Sequence, residues 1–536
     1  MSVPARISRL EWGLVAALFL LVFGATVITA NDYGPTYDEP HYASAGMRYA
    51  EWWARVFRGD LSAFRGAAIE ATWSLNHEHP PLQKCSSGFA QRWFGGALPG
   101  LTAMRLPSAL WFALTVCAIY LFCRGVWGRR GALFGALAFA TMPRLIPHAH
   151  FVALDMPIAC WFFVTAALTA QAARRDSWGW AALAGLAFGF ALMSKLNAFF
   201  LPLLLLPWGL ACYRKSWAKL AVALVVIGPA VFWMGWPWLW IDIVPHLKAY
   251  LAFHYGHAAY NVWYLGTLYQ YAPWHYPFVM TAVTTPLLVL ALSLVGLVRA
   301  WPRRGANAEA ALLALGLAIA LIPNALPSSP KYNGVRLFLP AFPFLAALAG
   351  GGFAWAQLRL STVLKAEGPR RARLSGLIAA ALGAILLLPG FSGAARTHPY
   401  QLAYYNSLVG GTAGASARGF ETIYWGQVFQ EAPQFLNGIE KPYPRVLLVP
   451  KGVIYLLEFQ QAAGALRPDV LFTGEEREAA SVDYVMFQAM QSDYTDLCWS
   501  LVREAEPVFE VTVEGTPLLL AYDRRAVAAV LSGEPR

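Results

Sequence analysis

Charged residues are scarce in this chain of 536 residues: Asp, Glu, Lys and Arg make up 13% of it, against about 25% in soluble domains. Hydrophobic residues make up 58%, and a soluble protein of that composition would expose large apolar patches. The apolar residues also come in long runs, of which the first, residues 12–30, carries no charge. A bilayer-spanning helix needs about 20 such residues. The composition therefore excludes a string of soluble domains and indicates a polytopic membrane protein.

Cysteine is scarce as well, with 6 residues whose spacing matches neither a metal-binding nor a redox motif. Cys85 and Cys498 fall in segments that we place outside the cytoplasm. A disulfide between them is an open alternative that rests on this location alone. The others lie in or beside apolar runs and are interpreted as small core residues: Cys117, Cys123, Cys160 and Cys212.

The apolar runs predict an α-helical bundle of about eleven spans. The first run is interpreted as a retained span, because it is longer than the apolar part of a signal peptide and lacks a clean cleavage motif. The predicted spans lie near residues 12–30, 107–123, 131–147, 157–172, 179–194, 197–212, 218–235, 278–298, 308–323, 337–355 and 374–391.

Basic residues exceed acidic ones, 41 to 30, and they concentrate in alternate short loops between the apolar runs. Cytoplasmic loops of membrane proteins carry this excess of Lys and Arg. The positive charge therefore indicates topology and not nucleic-acid binding. It places the N-terminus in the cytoplasm and, with an odd number of spans, the C-terminus outside.

The predicted organisation has two parts. Residues 1–390 form the transmembrane module, with long external loops at 31–106 and 236–277. Residues 391–536 form an external α/β or α+β domain. The second loop is dense in Trp, Tyr and His, and it is either an interfacial aromatic belt or a cover over a lipid or sugar site. In the C-terminal part we predict strands at 446–450, 469–474 and 483–487, a hairpin at 507–523, helices at 425–437 and 452–463, and a turn-rich connector at 410–419.

Three carboxylates lie next to predicted spans at the external face. Asp38 and Glu39 follow the first span in the run TYDEPHY, and Asp155 opens a later span. Each has a simple interpretation as an interface charge or as a favourable charge at a helix N-terminus. Charged groups near a membrane core are costly, however, and often mark function. The alternative is a general base, or an anchor for a metal or an acceptor.

Basic residues accompany these acids at the same face. His79 and Lys84 lie in HEHPPLQK, where two prolines fix an extended backbone. Lys195 lies between two apolar spans and must either reach outward or meet an anion. Lys331 and Arg336 precede a span on the external side, against the positive-inside trend, and arginine binds phosphate oxygens bidentately. Together the acids and bases suggest transfer of a group carried on a lipid phosphate.

This ordered set resembles the GT-C superfamily of membrane glycosyltransferases, in particular its protein O-mannosyltransferase-like and lipid A aminoarabinose transferase-like branch, which is glycosyltransferase family 39-like. The resemblance covers about residues 10–350. Its elements are Asp38-Glu39, the His-Pro-Pro-Leu run at 79–82, Asp155, and the run at 331–343.

The resemblance implies a GT-C-like bundle that performs an inverting transfer outside the bacterial cytoplasmic (inner) membrane. The donor would be a polyprenyl-phosphate sugar, and the acceptor a hydroxyl of a protein, a lipid or a cell-surface glycan. Asp38 would be the catalytic base, and Glu39 would position the acceptor or assist Asp38. The substrate-binding set would comprise His79, Lys84, Asp155, Lys195, Lys331 and Arg336. Of these, Lys84 and Arg336, with either Lys331 or Lys195, would hold the lipid phosphate.

The implied reaction requires no cofactor, because the phosphate can leave without being protonated by a strong acid. A divalent metal held by Asp38, Glu39 and Asp155 stays an alternative. The expected partners are the donor, the acceptor and membrane lipids, with no nucleic acid. Two other functions remain open at this point: a transporter or flippase of lipid-linked sugars, and a non-catalytic membrane scaffold. The sequence shows no inverted repeat of the kind common in transporters, and a scaffold would leave the charged residues at one face unexplained.

Overall fold

The computed structural model describes residues 7–256, 260–302, 307–363 and 369–532. These ranges leave out residues 1 and 536, at which the two predicted parts begin and end, and residues 257–259 of the second external loop. The described α-helices are α1 (Arg9–Ile28), α2 (Glu39–Phe57), α3 (Gly66–Trp73), α4 (Leu82–Phe94), α5 (Thr102–Ala140), α6 (Ile146–His150), α7 (Asp155–Arg175), α8 (Trp178–Leu192), α9 (Leu201–Cys212), α10 (Trp217–Val222), α11 (Gly228–Gly235), α12 (Trp238–Ile241), α13 (Ile243–Tyr255), α14 (Tyr276–Thr284), α15 (Leu287–Ala300), α16 (Ala308–Ala325), α17 (Ala341–Val363), α18 (Pro369–Arg396), α19 (Gly411–Ala417), α20 (Ala432–Leu436), α21 (Ile454–Ala462), α22 (Asp496–Glu504) and α23 (Arg524–Ser532).

The predicted membrane bundle is confirmed as a multi-span helical architecture. Within the described ranges, 7 helical segments are long and apolar enough to cross a membrane, by length and composition. Three shorter apolar helices accompany them: Trp178–Leu192, Leu196–Cys212 and Leu287–Ala300. These helices do not establish the predicted number of eleven spans.

Three predicted spans differ in detail from the observed helices. The spans expected at 107–123 and 131–147 are the two arms of α5, which break at Gly128, where φ is 76° and ψ is 174°. Only glycine adopts a positive φ without steric cost. The span expected at 278–298 is two helices, α14 and α15, separated at Thr285 and Pro286. Proline forces the preceding residue out of the helical region, and Thr285 accordingly has ψ 135°.

Glycine faces let the central helices approach closely. A Cβ built on Gly131 of α5 would lie 2.7 Å from the carbonyl oxygen of Gly350 on α17. In the first external loop, a side chain on Gly88 of α4 would overlap the carbonyl oxygen of Gly46 on α2. This second contact fixes α2, whose first residue is Glu39, against α4.

The C-terminal part contains a mixed five-stranded sheet. A two-stranded antiparallel ribbon lies in the second external loop, β1 (Val262–Tyr264) with β2 (Thr267–Tyr269). In the sheet, β3 (Arg445–Val449) pairs in parallel with β4 (Leu471–Thr473) and β5 (Tyr484–Gln488), while β7 (Thr516–Asp523) pairs antiparallel with β5 and β6 (Phe509–Val513). All five predicted strands are present, and the hairpin turns at Glu514-Gly515, both at positive φ.

Three further predictions need correction. The segment 410–419 is not a turn-rich connector, because it forms the short helix α19. The boundary predicted at residue 391 falls inside α18, which continues to Arg396. Cys85 and Cys498 are both free thiols, so the alternative of a disulfide is wrong. Cys85 lies in α4, and Cys498 is buried in the core of the C-terminal part.

Candidate active site

Four charged side chains converge where the external loops meet the bundle. Arg336 Nη2 donates to Asp38 Oδ2 at 2.7 Å, and Lys195 Nζ donates to Asp155 Oδ1 at 2.6 Å. Arg336 Nε also lies 3.5 Å from Asp155 Oδ2, which links the two pairs. Asp38 directly precedes α2, Asp155 is the first residue of α7, and Arg336 is the first residue of the turn that leads into α17. The fold therefore joins four of the predicted site residues into one network.

The two acids of this network differ in exposure. The Asp155 side chain is fully buried, whereas 26% of the Asp38 side chain is exposed. Arg336 is 12% exposed and Lys195 is 14% exposed. Two carboxylates face two cations, so the network is close to neutral. Asp38 is thus the acid that a substrate can reach, while Asp155 holds the two cations in place.

Trp425 is a site residue that the sequence analysis missed. Its indole Nε1 donates to Asp38 Oδ2 at 3.1 Å, and the guanidinium carbon of Arg336 lies 4.4 Å from the centre of its rings. Its φ of 77° is unusual for a bulky residue. The hydrogen bond from Tyr37 N to Trp425 O, at 3.0 Å, helps to hold that backbone. One tryptophan among 22 gave no signal in the sequence.

Glu39 does not face the site. Its carboxylate forms a bidentate ion pair with Arg105, at 2.9 and 2.7 Å, and also accepts from the backbone N–H groups of Thr36 and Val152. Arg105 donates further to three carbonyl oxygens, those of Ala30, Tyr33 and Gly34. The predicted contact of Glu39 with an acceptor is incompatible with this arrangement, because both oxygens are occupied and the side chain is 2% exposed.

Lys84 and Lys331 do not join the network either. Lys84 Nζ donates to the carbonyl oxygens of Asn76 and His79, at 2.6 and 2.7 Å, and to Asn76 Oδ1. Lys331 Nζ donates to two carbonyl oxygens of its own loop. Both are buried. An ammonium group has three donors; local acceptors use all three in Lys84 and two in Lys331. The predicted contact of either lysine with a phosphate stays a prediction.

His79 lies at the edge of the site, under the second external loop. Its ring packs against Tyr42, Phe253 and His254, with ring centres 5.7, 5.7 and 6.0 Å apart. Burial lowers the pKa of His79 well below its ordinary value, and the charge of Lys84 adds to this effect. The imidazole is therefore neutral. These contacts favour the cover over the aromatic belt as the interpretation of residues 236–277.

The second loop also contacts the C-terminal part. Trp263 N donates to Glu421 Oε1 at 3.4 Å, and its ring lies 5.3 Å from that of Trp499. Ser492 N donates to the same Glu421 oxygen at 3.1 Å. Burial raises the pKa of Glu421 to about 8. The loop is thus held between the bundle and the sheet region.

The acids present do not fit a metal site. Across residues 7–256, 260–302, 307–363 and 369–532, no group of three or more His, Cys, Asp or Glu side chains converges in a way that could hold a metal ion. Asp38 faces Arg336, Glu39 faces Arg105, and Asp155 faces Lys195. A cation already sits against each carboxylate that the sequence offered as a ligand.

Residues 79–234 match the protein family described as dolichyl-phosphate-mannose-protein mannosyltransferase. This segment holds His79, Asp155 and Lys195, whereas Asp38, Arg336 and Trp425 lie outside it. Comparison with curated protein sequences found no match.

Solved structures show the same architecture over nearly the whole chain. ArnT from Cupriavidus metallidurans in the apo state is 17% identical, with a TM-score of 0.51 over 96% of this chain and 98% of that one. The same protein bound to undecaprenyl phosphate gives 17% identity and a TM-score of 0.50 over 98% and 99%. An oligosaccharyltransferase from Archaeoglobus fulgidus is 13% identical, with a TM-score of 0.49 over 90% and 70%.

The chain has the GT-C fold, which is the architecture of a superfamily of membrane glycosyltransferases. The GT-C-like fold that the resemblance implied is confirmed.

Proposed function

We propose that the protein is an inverting glycosyltransferase that moves a sugar from a polyprenyl-phosphate donor to a hydroxyl acceptor outside the cytoplasmic membrane. One observation carries this proposal: a partly exposed carboxylate, Asp38, lies 2.7 Å from an arginine within a network of two acids and two cations. The family match over residues 79–234 and the likeness to a protein that binds undecaprenyl phosphate support it.

Asp38 is the base in this mechanism. It takes the proton of the acceptor hydroxyl as that oxygen attacks the anomeric carbon from the side opposite the phosphate. The new carbon–oxygen bond forms while the bond to the phosphate oxygen breaks, and the phosphate leaves with the electron pair. A positioned base typically contributes about 10²–10⁴-fold to such a step. Trp425 and Arg336 hold Asp38 through the same oxygen, Oδ2.

Arg336 and Lys195 are the cations for the leaving phosphate. Both are partly exposed, and each is held from behind by the buried Asp155. The negative charge on the phosphate grows as the bond breaks, so fixed cations stabilise the transition state more than the bound donor. When donor is absent, Asp38 is the partner of Arg336. Donor binding draws Arg336 toward the phosphate and leaves Asp38 ready for the acceptor proton. His79, as a neutral ring, contributes a hydrogen bond at most.

The reaction as proposed needs no cofactor, since each acid that could bind a metal already faces a cation. The acceptor is a hydroxyl of a protein, a lipid or a cell-surface glycan. The N-terminus lies in the cytoplasm and the sheet region outside, as the distribution of basic residues indicates.

The test uses purified full-length protein in lipid vesicles, supplied with radiolabelled polyprenyl-phosphate sugars and an extract of membranes and periplasm. Asp38→Asn is compared with wild type and with Asp32→Asn. Asp32 is the matched control, an exposed acid of the same loop that contacts His398 and not the network. We expect transfer to fall at least about 100-fold in Asp38→Asn, with donor binding retained, and to stay near wild type in Asp32→Asn.

Two results would contradict the proposal. Full transfer by Asp38→Asn would remove Asp38 as the base. Movement of labelled donor across the vesicle membrane, with no glycosylated product, would identify a flippase. If folded wild-type protein neither transfers nor moves any donor, the scaffold is the remaining function.

A further inference from the structure

A cavity lined by several arginines lies at the end of the bundle opposite the candidate active site. Helix α5 connects the two ends. Arg105 of α5 pairs with Glu39 beside the site, and Arg124 pairs with Glu11 at the start of α1. These two arginines lie roughly 28 Å apart along the helix, at about 1.5 Å per residue. That distance is close to the roughly 30 Å thickness of the hydrocarbon core of a bilayer.

We call this space the far-end cavity. Its volume is about 550 Å³, which is within the range of ligand-binding sites. It opens where α5 breaks at Gly128, between the ends of α15 and α17. The lining residues are Val126, Trp127, Gly128, Arg129, Arg130, Arg299, Gly351, Ala354, Trp355, Gln357, Leu358 and Ser361.

The far-end cavity is positively charged. Three arginines line it, Arg129, Arg130 and Arg299, and none of its lining residues is acidic. Arg129 Nε donates to Glu11 at 2.7 Å, and Glu11 also accepts from Arg124. The Arg129 side chain is still 63% exposed. In the part of the chain that the structure describes, Arg130 and Arg299 form no salt bridge within 4.0 Å. Such a group of guanidinium groups suits a phosphate.

The ring of Trp127 forms one wall of the cavity. It packs closely on α17, since a Cβ on Gly351 would lie 2.8 Å from it. Its indole Nε1 is buried and therefore closed to a ligand in the cavity, so the arginines are the donors that a ligand can reach.

The surroundings favour a lipid over a free anion. Leu358, which lines the cavity, is 66% exposed, and Val298, next to Arg299, is 68% exposed. Trp355 forms another wall, and the guanidinium carbon of Arg359 lies 5.6 Å from its ring centre. Tryptophan beside arginine, next to exposed aliphatic side chains, is typical of the level of the lipid headgroups.

We propose that the far-end cavity binds the phosphate headgroup of an anionic phospholipid of the membrane leaflet opposite the candidate active site. The arginines contact the phosphate, and the acyl chains leave along Leu358 and Val298. This site is separate from the one proposed for the sugar donor, and it does not depend on that function.

The test measures lipid binding to the full-length protein in detergent by native mass spectrometry, with phosphatidylglycerol and phosphatidylcholine as probes. Wild type should bind one phosphatidylglycerol more tightly than phosphatidylcholine. The double variant Arg130→Gln with Arg299→Gln should weaken phosphatidylglycerol binding at least tenfold, which is about 1.4 kcal/mol. The control, Arg214→Gln with Lys215→Gln, removes two exposed charges from another basic loop outside the cavity and should bind as wild type does.

Three results would overturn the proposal. Equal losses in the two double variants would show general attraction to basic loops, and equal binding of the two lipids would show no headgroup site. Displacement of the lipid by millimolar inorganic phosphate would show a free-anion site. If the double variant does not fold, the single variant Arg299→Gln replaces it. It should weaken binding several-fold, and unchanged binding would also contradict the proposal.

Discussion

Replacing each of two adjacent carboxylates by its amide should affect stability at one position and transfer activity at the other. Asp38 is partly exposed in the network with Arg336, whereas Glu39 is buried against Arg105. We predict that Glu39→Gln destabilises the protein, while Asp38→Asn removes transfer and leaves stability close to wild type. The comparison is a direct test, because the two residues are neighbours in the sequence and only Asp38 has a proposed catalytic role, whereas Glu39 has a structural one.

The size of the Glu39 effect follows from its contacts. Glutamine keeps the shape of the side chain but removes the charge that balances Arg105. Arg105 would keep its hydrogen bonds to the carbonyl oxygens of Ala30, Tyr33 and Gly34 and remain buried as an unbalanced cation. Removing one member of a buried ion pair typically costs about 3–5 kcal/mol. We expect a melting midpoint several degrees lower in detergent, and faster irreversible unfolding.

A double-variant cycle checks that this loss belongs to the ion pair. Arg105→Gln alone should also destabilise, because it leaves the buried carboxylate of Glu39 with only two backbone donors. Combining Arg105→Gln with Glu39→Gln should cost less than the sum of the two, by about 0.5–3 kcal/mol. A Glu39→Gln protein with wild-type melting and no transfer activity would refute the reasoning and return Glu39 to the catalytic machinery.

Two further predictions concern Trp425 and Glu421. Trp425→Phe keeps a ring against Arg336 but removes the donor to Asp38, so kcat should fall by about tenfold while the KM for donor changes little; vesicle kinetics would show this, and an unchanged kcat would remove Trp425 from the site. Burial raises the pKa of Glu421 from 4.5 to about 8, so the folded protein keeps a proton there that the unfolded chain releases. Stability should therefore fall as pH rises from 4.5 to 8, a dependence that Glu421→Gln should weaken in melting curves measured across that interval.

Local patterns determined much of the architecture. Uncharged runs place helices in the bundle because unpaired backbone groups are too costly in a bilayer. Short buried runs and the Glu514-Gly515 turn predicted the five strands of the sheet region. The same reasoning predicted that Asp38, Asp155, Lys195 and Arg336 lie at one face of the membrane, because charges beside apolar spans must lie at the ends of helices.

The tertiary structure alone decided which of these charges meet. Arg105 pairs with Glu39 across 66 residues, and Trp425 reaches Asp38 across 387. Lys84 and Lys331 looked like phosphate ligands by position, but nearby carbonyl oxygens bind their ammonium groups. A sequence shows which residues carry donors and acceptors. Their pairing depends on which groups the folded backbone brings within about 3 Å, because a buried polar group must be satisfied by whatever lies closest.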